Sequence, residues 1–184
     1  MKYKIIGWLL AVFSSTVGMM ATNSVLAQTN EEDSQDKQTK DNQIPTRSYI
    51  GLGGNIGLGG DDTALGDGGF SLVGRTAFTE NISLHTSTVF GGDNVGAFAL
   101  TFGVPIYSSD RKLELLYPFA GGGIAVEDFF GDFEVDGLVT AGIDVPILER
   151  VTATVRLNLG FAEDDTDVGL LLGVGYNFSI LELL

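Results

Sequence analysis

The chain contains no cysteine among its 184 residues. Without thiols it has neither a disulfide framework nor a thiolate metal site, although export would permit disulfides. Basic residues are scarce too: 10 Lys and Arg stand against 24 Asp and Glu, for a formal net charge of −14. An acidic excess of this size argues against binding nucleic acid or an anionic membrane surface. We therefore predict no nucleic-acid partner.

Helix-length apolar runs are also missing after the N-terminal region, although the mean hydropathy is positive, at +0.23. A chain of this kind must distribute its hydrophobicity along alternating strands. In residues 151–161 every odd position is apolar, whereas the even positions carry Thr, Thr, Arg, Asn and Gly. This period of two predicts a strand with one apolar face.

Residues 1–27 have the features of an export signal. Lys2 and Lys4 form a cationic start, and the apolar stretch that follows is too short to span a bilayer. Small residues then precede a cleavage point that we place after Ala27. Removal of the two lysines leaves a net charge of 8 − 24 = −16. The alternative, an uncleaved anchor, is disfavoured because polar residues 14–16 end the apolar run early.

The rest of the chain divides into a leader, one domain and a tail. Residues 28–47 are polar and mixed in charge, which predicts a disordered acidic periplasmic leader. Residues 48–179 are predicted to form the domain, and residues 180–184 a C-terminal tail. We predict eight strands in the domain, at 49–58, 70–78, 82–90, 95–104, 113–126, 134–145, 151–161 and 168–178.

These strands predict an all-β fold, an eight-stranded antiparallel up-and-down transmembrane β-barrel. Ten residues at ~3.3 Å rise, tilted near 45°, give a band of roughly 23–25 Å, the height that membrane barrels need. The alternative is a soluble barrel or sandwich with the apolar face inside. Its outer face would then carry Gly, Ser, Thr, Ala and Asn, whereas soluble sheets keep that face charged. We also expect a bulge in the fifth strand, at Pro118 or at the glycines 121–123.

The connections differ in charge between the two ends of the predicted barrel. One set of connections, at 59–69, 91–94, 127–133 and 162–167, contains acids and no basic residue. The turns at 79–81, 105–112 and 146–150 contain Arg111, Lys112 and Arg150. With a periplasmic N-terminus, the acidic loops face outside.

Residues 49–178 resemble the small eight-stranded outer-membrane β-barrels of the porin-like or opacity-protein-like group. The likeness rests on the glycine-rich segment 49–54, the Pro-Phe-Ala-Gly-Gly-Gly segment 118–123 and the closing segment 173–178. The resemblance implies a bacterial outer-membrane location, contact with the lipid bilayer, recognition by the outer-membrane assembly machinery and a monomeric state. Such barrels usually end on an aromatic residue, whereas here Phe178 is followed by further residues.

Charged and amide side chains on the predicted inner face form a candidate lumen network: Arg75, His85, Glu134, Asp136, Asp144, Arg156 and Asn158. Eight strands leave an interior just wide enough for side chains, so we expect these groups to pair and close the lumen. The predicted function is therefore structural support of the envelope, without a cofactor. The first alternative is a narrow channel for small solutes.

The second alternative is a lipid-modifying acyl hydrolase that uses His85 and Ser87. Their spacing places both side chains on one strand face, where a base can activate a hydroxyl. The segment resembles the His-x-Ser pair of outer-membrane lipid A deacylases, but Thr88 stands where that family has Asn. The pair also falls on the inner face, with Arg75 opposite His85 across the 79–81 turn. We therefore predict that the protein is not an enzyme.

The acidic loops are candidate sites for divalent cations, which prefer several oxygen ligands. The residues in question are Asp61, Asp62, Asp164, Asp165 and Asp167. Neither an EF-hand pattern nor a His/Cys metal spacing occurs in the sequence. The favoured interpretation is that these loops are solvated near a surface rich in divalent cations, the alternative is that they bind Ca²⁺ or Mg²⁺, and we predict no resident metal.

Overall fold

The computed structural model describes residues 47–60, 63–109, 113–127, 134–161 and 166–178. The predicted export signal, nearly all of the predicted leader and the predicted tail lie outside these ranges and stay predictions. Within the described residues, no helix is both long and apolar enough to cross a membrane.

The described chain contains nine strands and one helical turn. They are β1 (Ser48–Gly59), α1 (Ala64–Asp67), β2 (Gly68–Ala77), β3 (Ile82–Phe90), β4 (Val95–Gly103), β5 (Ile106–Tyr107), β6 (Glu114–Glu127), β7 (Glu134–Leu148), β8 (Val151–Phe161) and β9 (Thr166–Phe178).

Eight of the strands close into an antiparallel barrel. The order is β4-β3-β2-β1-β9-β8-β7-β6, and β4 pairs with β6 to complete the ring. The first and last strands pair from Ser48–Phe178 to Gly59–Val168. Closure leaves no barrel strand with an unpaired edge. The predicted fold class is confirmed.

Two local expectations were wrong. The predicted turn 105–112 contains the short strand β5, which pairs only with the start of β6. The expected bulge in β6 is absent, since its pairing with β4 runs without a shift from Phe119 to Glu127. Side chains on Gly121 and Gly123 would collide with backbone carbonyls of β4. Glycine here lets two strands approach closely without breaking the register.

The alternation of the sequence sets the two faces of the wall. On β8, Thr154, Arg156 and Asn158 are buried inside, whereas Val155 and Leu157 are exposed outside. The same holds around the barrel, where the large exposed side chains are apolar. Among them are Ile50, Leu52, Ile56, Leu58, Phe70, Leu72, Phe78, Ile82, Phe90, Leu100, Phe102, Val139, Ile143, Leu172, Val174 and Tyr176.

The barrel has two distinct ends. The loop end carries residues 60, 63–67 and 91–94, the end of β6, the start of β7, the end of β8 and the start of β9. The turn end carries residues 78–81, 104–109, 113 and 149–150. The sequence predicts that the loop end faces outside.

Candidate functional site in the barrel lumen

Asp144 of β7 is the centre of a polar network inside the barrel and is 1 % exposed. Its Oδ1 atom accepts a hydrogen bond of 2.8 Å from the hydroxyl of Tyr49. Its Oδ2 atom lies 3.3 Å from Nη1 of Arg75 and 3.3 Å from Nε2 of His85. Side chains from β1, β2 and β3 therefore converge on one carboxylate that β7 supplies.

Arg156 extends this network from β8. Its Nη2 atom donates to the Tyr49 hydroxyl oxygen at 2.7 Å and to the carbonyl of Gly74 at 3.0 Å. Its Nη1 atom donates to the carbonyl of Thr86 at 2.9 Å, and Nε donates to Oγ1 of Thr154 at 3.1 Å. The Tyr49 hydroxyl thus accepts from a guanidinium and donates to the central carboxylate. The hydroxyl therefore links Arg156 to the carboxylate of Asp144, which Arg75 contacts directly.

Two aromatic rings of β6 pack against the network. The guanidinium carbon of Arg75 lies 3.7 Å from the ring centroid of Tyr117, a cation–π contact. The imidazole of His85 stacks on Phe119, with ring centroids 3.8 Å apart and an interplanar angle of 11°. Neither Tyr117 nor Phe119 was among the predicted lumen residues. Tyr117 and Phe119 have odd numbers, as does Ala125, which faces inward on the same strand. This alternation could have indicated that both rings face the lumen.

The helical turn α1 fills the lumen at the loop end. Thr63 caps it, accepting a hydrogen bond from the amide of Leu65 at 3.1 Å. Leu65 is buried in a cluster that includes Val89, Val95 and Leu138. Asn55 of β1 fixes the turn by donating from Nδ2 to the carbonyl of Leu65 at 2.8 Å. The loop 59–69, predicted as an exposed connection, therefore places apolar side chains inside the barrel.

The predicted lumen residues fall into two groups. Arg75, His85, Asp144 and Arg156 meet in the network above. Asn158 also faces inward, but its Oδ1 atom accepts from Thr140 at 2.7 Å and lies nearer the loop end.

Glu134 and Asp136 do not reach the network. They precede Asp144 on β7 by ten and eight residues, which corresponds to about 33 and 26 Å along a strand. Both lie at the loop end, where Glu134 is exposed and Asp136 is half-buried.

His85 and Ser87 are both buried in the lumen. The two ring nitrogens of His85 contact Oγ1 of Thr101 at 2.7 Å and Oδ2 of Asp144 at 3.3 Å. The predicted register is confirmed, since Arg75 pairs with His85 across the β2–β3 hairpin. The imidazole is therefore part of the network and lies on the side of the wall away from lipid.

Among the predicted cation-binding acids, the structure describes Asp167 alone. It lies in β9 rather than in a loop, and its side chain is 1 % exposed. Asp61, Asp62, Asp164 and Asp165 lie outside the described residues. In the described part of the chain, no three His, Cys, Asp or Glu side chains are placed to hold a metal ion.

The outer face of the barrel carries almost no polar side chain that could hydrogen-bond to water. The described residues contain no lysine, and two of their four arginines lie in the lumen. In hydrocarbon every backbone polar group must be paired within the protein, which a closed ring of strands achieves. An apolar exterior around a polar interior is therefore stable in a bilayer and not in water.

Comparison with known proteins agrees with this surface. No family model matches the chain, and no curated protein does so either. A de novo designed transmembrane β-barrel aligns with 74% of this chain and 98% of its own, with a TM-score of 0.52 and 14% identity. The fold is that of a transmembrane β-barrel. The resemblance to small outer-membrane barrels is thus confirmed at the level of the fold.

Two natural barrels also align, less closely. Ail, the attachment invasion locus protein of Yersinia pestis, aligns over 73% of this chain and 100% of its own, with a TM-score of 0.42 and 21% identity. Neisserial surface protein A aligns over 72% of this chain and 94% of its own, with a TM-score of 0.40 and 11% identity. The closed barrel and its apolar wall are those of a membrane-spanning β-barrel, a fold that agrees with the predicted outer-membrane location.

Proposed function

We propose that the protein is a structural outer-membrane barrel whose lumen is closed by its own side chains. The observation that carries this proposal is the network on Asp144, which joins groups from four strands across the interior. A buried ion pair stabilises a fold only with good geometry and further hydrogen bonds. Here Tyr49 and Arg75 donate to the carboxylate, a ring nitrogen of His85 lies 3.3 Å from it, and Arg156 is held by its own set of acceptors.

The packing on either side of the network supports a closed lumen. Toward the loop end lie Leu65 and its apolar cluster, which would have to move aside for any solute to pass. Level with the network, Tyr117 and Phe119 of β6 fill space against Arg75 and His85. An eight-stranded barrel has room for side chains and little more. The protein then supports the envelope through its barrel wall. It acts as a monomer that the assembly machinery inserts in the outer membrane.

Single-channel recording tests this proposal. Purified mature protein reconstituted in planar bilayers should give no reproducible conductance steps. The double variant Leu65→Ala/Arg156→Ala removes filling from two levels of the lumen and should produce small steps or flicker. Arg150→Ala, which removes an arginine at the turn end outside the lumen, is the control and should behave like the unmodified protein. Reproducible steps from the unmodified protein would show a channel instead.

A further inference from the structure

Several oxygen atoms at the loop end of the lumen are buried and have no hydrogen-bond partner among the residues that the structure describes. Both carboxylate oxygens of Asp167 are in this state, and so are Oδ1 of Asn55 and Oδ2 of Asp136. Asp167 and Asn55 are 1 % and 6 % exposed. A buried acceptor with no donor is destabilising, and a buried ionised carboxylate is more so. These atoms therefore require a partner.

The carboxylate of Asp167 lies in a cradle formed by two glycines. Gly60 has a positive φ of 80°, which lets the chain turn over the start of β9. A side chain on Gly60 would collide with Oδ1 of Asp167. A side chain on Gly66 would meet the same Oδ1 atom and the carbonyl oxygen of Gly60. The absence of side chains at both positions thus brings a carboxylate oxygen and a backbone carbonyl oxygen to the same side of Gly66.

Asn55 borders the same region from β1. Its Nδ2 atom is used by the carbonyls of Ala64 and Leu65, so Oδ1 is the free end of the amide. A side chain on Gly169, two residues after Asp167 on the same face of β9, would contact this Oδ1 atom at 2.6 Å. Amide, carbonyl and carboxylate oxygens are the ligands that hard cations take.

No protein cation neutralises this end of the barrel. Its described charged residues are all acidic: Asp67, Asp93, Glu127, Glu134, Asp136 and Asp167. Glu127 lies close enough to interact with the charges of both Asp136 and Asp167. The two lumen arginines are already engaged around Tyr49 and Asp144. Negative charge is therefore uncompensated at this end, and burial makes that of Asp167 the most costly.

We propose that the loop end of the lumen binds one hard divalent cation, of the calcium type, through the carboxylate of Asp167, the carbonyl of Gly60 and Oδ1 of Asn55. Water completes the coordination, because three acidic or imidazole side chains do not converge here. Ca²⁺ suits such a site because it accepts six to eight oxygens in flexible geometry. Glu127 and Asp136 add negative charge without having to touch the ion. This inference does not rest on the closed lumen.

Isothermal titration calorimetry on mature protein in lipid-free detergent tests the proposal directly. CaCl₂ should bind with a stoichiometry of one, and MgCl₂ should bind more weakly. The variant Asp167→Asn keeps the shape of the side chain and should abolish binding. Asp93→Asn removes an equal charge from an exposed position at the same end and should leave binding unchanged. No binding by the unmodified protein, or unchanged binding by Asp167→Asn, would overturn the site.

A second pair of variants separates the ligands from the charge. Gly66→Ala fills the cradle without altering charge, and it should weaken Ca²⁺ binding. Gly59→Ala, where a side chain would meet nothing within 4 Å, is its control. Melting provides an independent readout: with EGTA present, Asp167→Asn should melt above the unmodified protein, and with Ca²⁺ that order should reverse. The same order under both conditions would refute the site.

Discussion

The central carboxylate gives the sharpest test of how the lumen is stabilised. Asp144→Asn keeps the shape of the side chain and removes the negative charge that contacts Arg75 and His85. The Arg75 guanidinium would then be buried, at 5 % exposure, without a counterion. Breaking a buried pair by removing one partner costs about 3–5 kcal/mol. That is a large share of the ~5–15 kcal/mol by which a typical domain is stable.

Urea unfolding in detergent measures this loss. The single tryptophan, Trp8, lies in the predicted signal, so far-ultraviolet circular dichroism and gel mobility with and without boiling must report folding. We expect Asp144→Asn to lower the midpoint strongly. Glu149→Gln, which neutralises an exposed acid just after β7, is the matched control and should change little, because exposed pairs are worth about 0–1 kcal/mol.

A double variant identifies the cause of the loss. If the penalty comes from an unpaired cation, Arg75→Met together with Asp144→Asn should recover much of the stability, because buried pairs are often replaceable by apolar groups. Arg75→Met also preserves a flexible side chain against Tyr117. A single variant Asp144→Asn within about 1 kcal/mol of the unmodified protein would refute the reasoning, because a buried pair broken at one partner costs several times more.

Two further predictions concern the cap and the wall. Leu65→Ala should destabilise the barrel by about 2–5 kcal/mol in the same unfolding assay, since a buried leucine is truncated in a packed cluster; a change no larger than that of Glu149→Gln would contradict the buried position of α1. Leu52→Arg, near the middle of β1, should cost about 2–4 kcal/mol in a bilayer, whereas Leu58→Arg near its end should cost about 0–1 kcal/mol. Equal costs at the two positions, measured after refolding into vesicles, would contradict a lipid-facing wall.

The faces of the strands were predictable because alternation is a local property of the sequence. Arg75 and His85 could also be placed opposite one another, since a tight turn fixes the register of a hairpin. The contacts that define the site were not predictable in this way. The Tyr49–Asp144 and Arg156–Tyr49 hydrogen bonds join residues 95 and 107 positions apart, and they depend on how the closed barrel staggers its strands.

The cap at the loop end was missed for a different reason. Ala64 and Leu65 lie in a segment rich in glycine and aspartate, whose composition predicts an exposed loop. The available signal was small: two apolar residues directly after Thr63, a residue type that favours the first position of a helix. Burial of this turn depends on the amide of Asn55, which belongs to another strand. Local composition cannot report such a partner.

Charge compensation differs between the two halves of the lumen, and this difference follows from where the arginines lie. Toward the turn end, Arg75 and Arg156 gather around the carboxylate of Asp144, and rings and carbonyls take up their remaining donors. At the loop end the described acids have no protein cation beside them, and the apolar cluster around Leu65 lies on that same side. Removing charge should therefore have opposite effects in the two halves. Neutralising Asp144 destabilises the barrel under all ionic conditions, whereas neutralising Asp167 stabilises it whenever divalent cations are withheld.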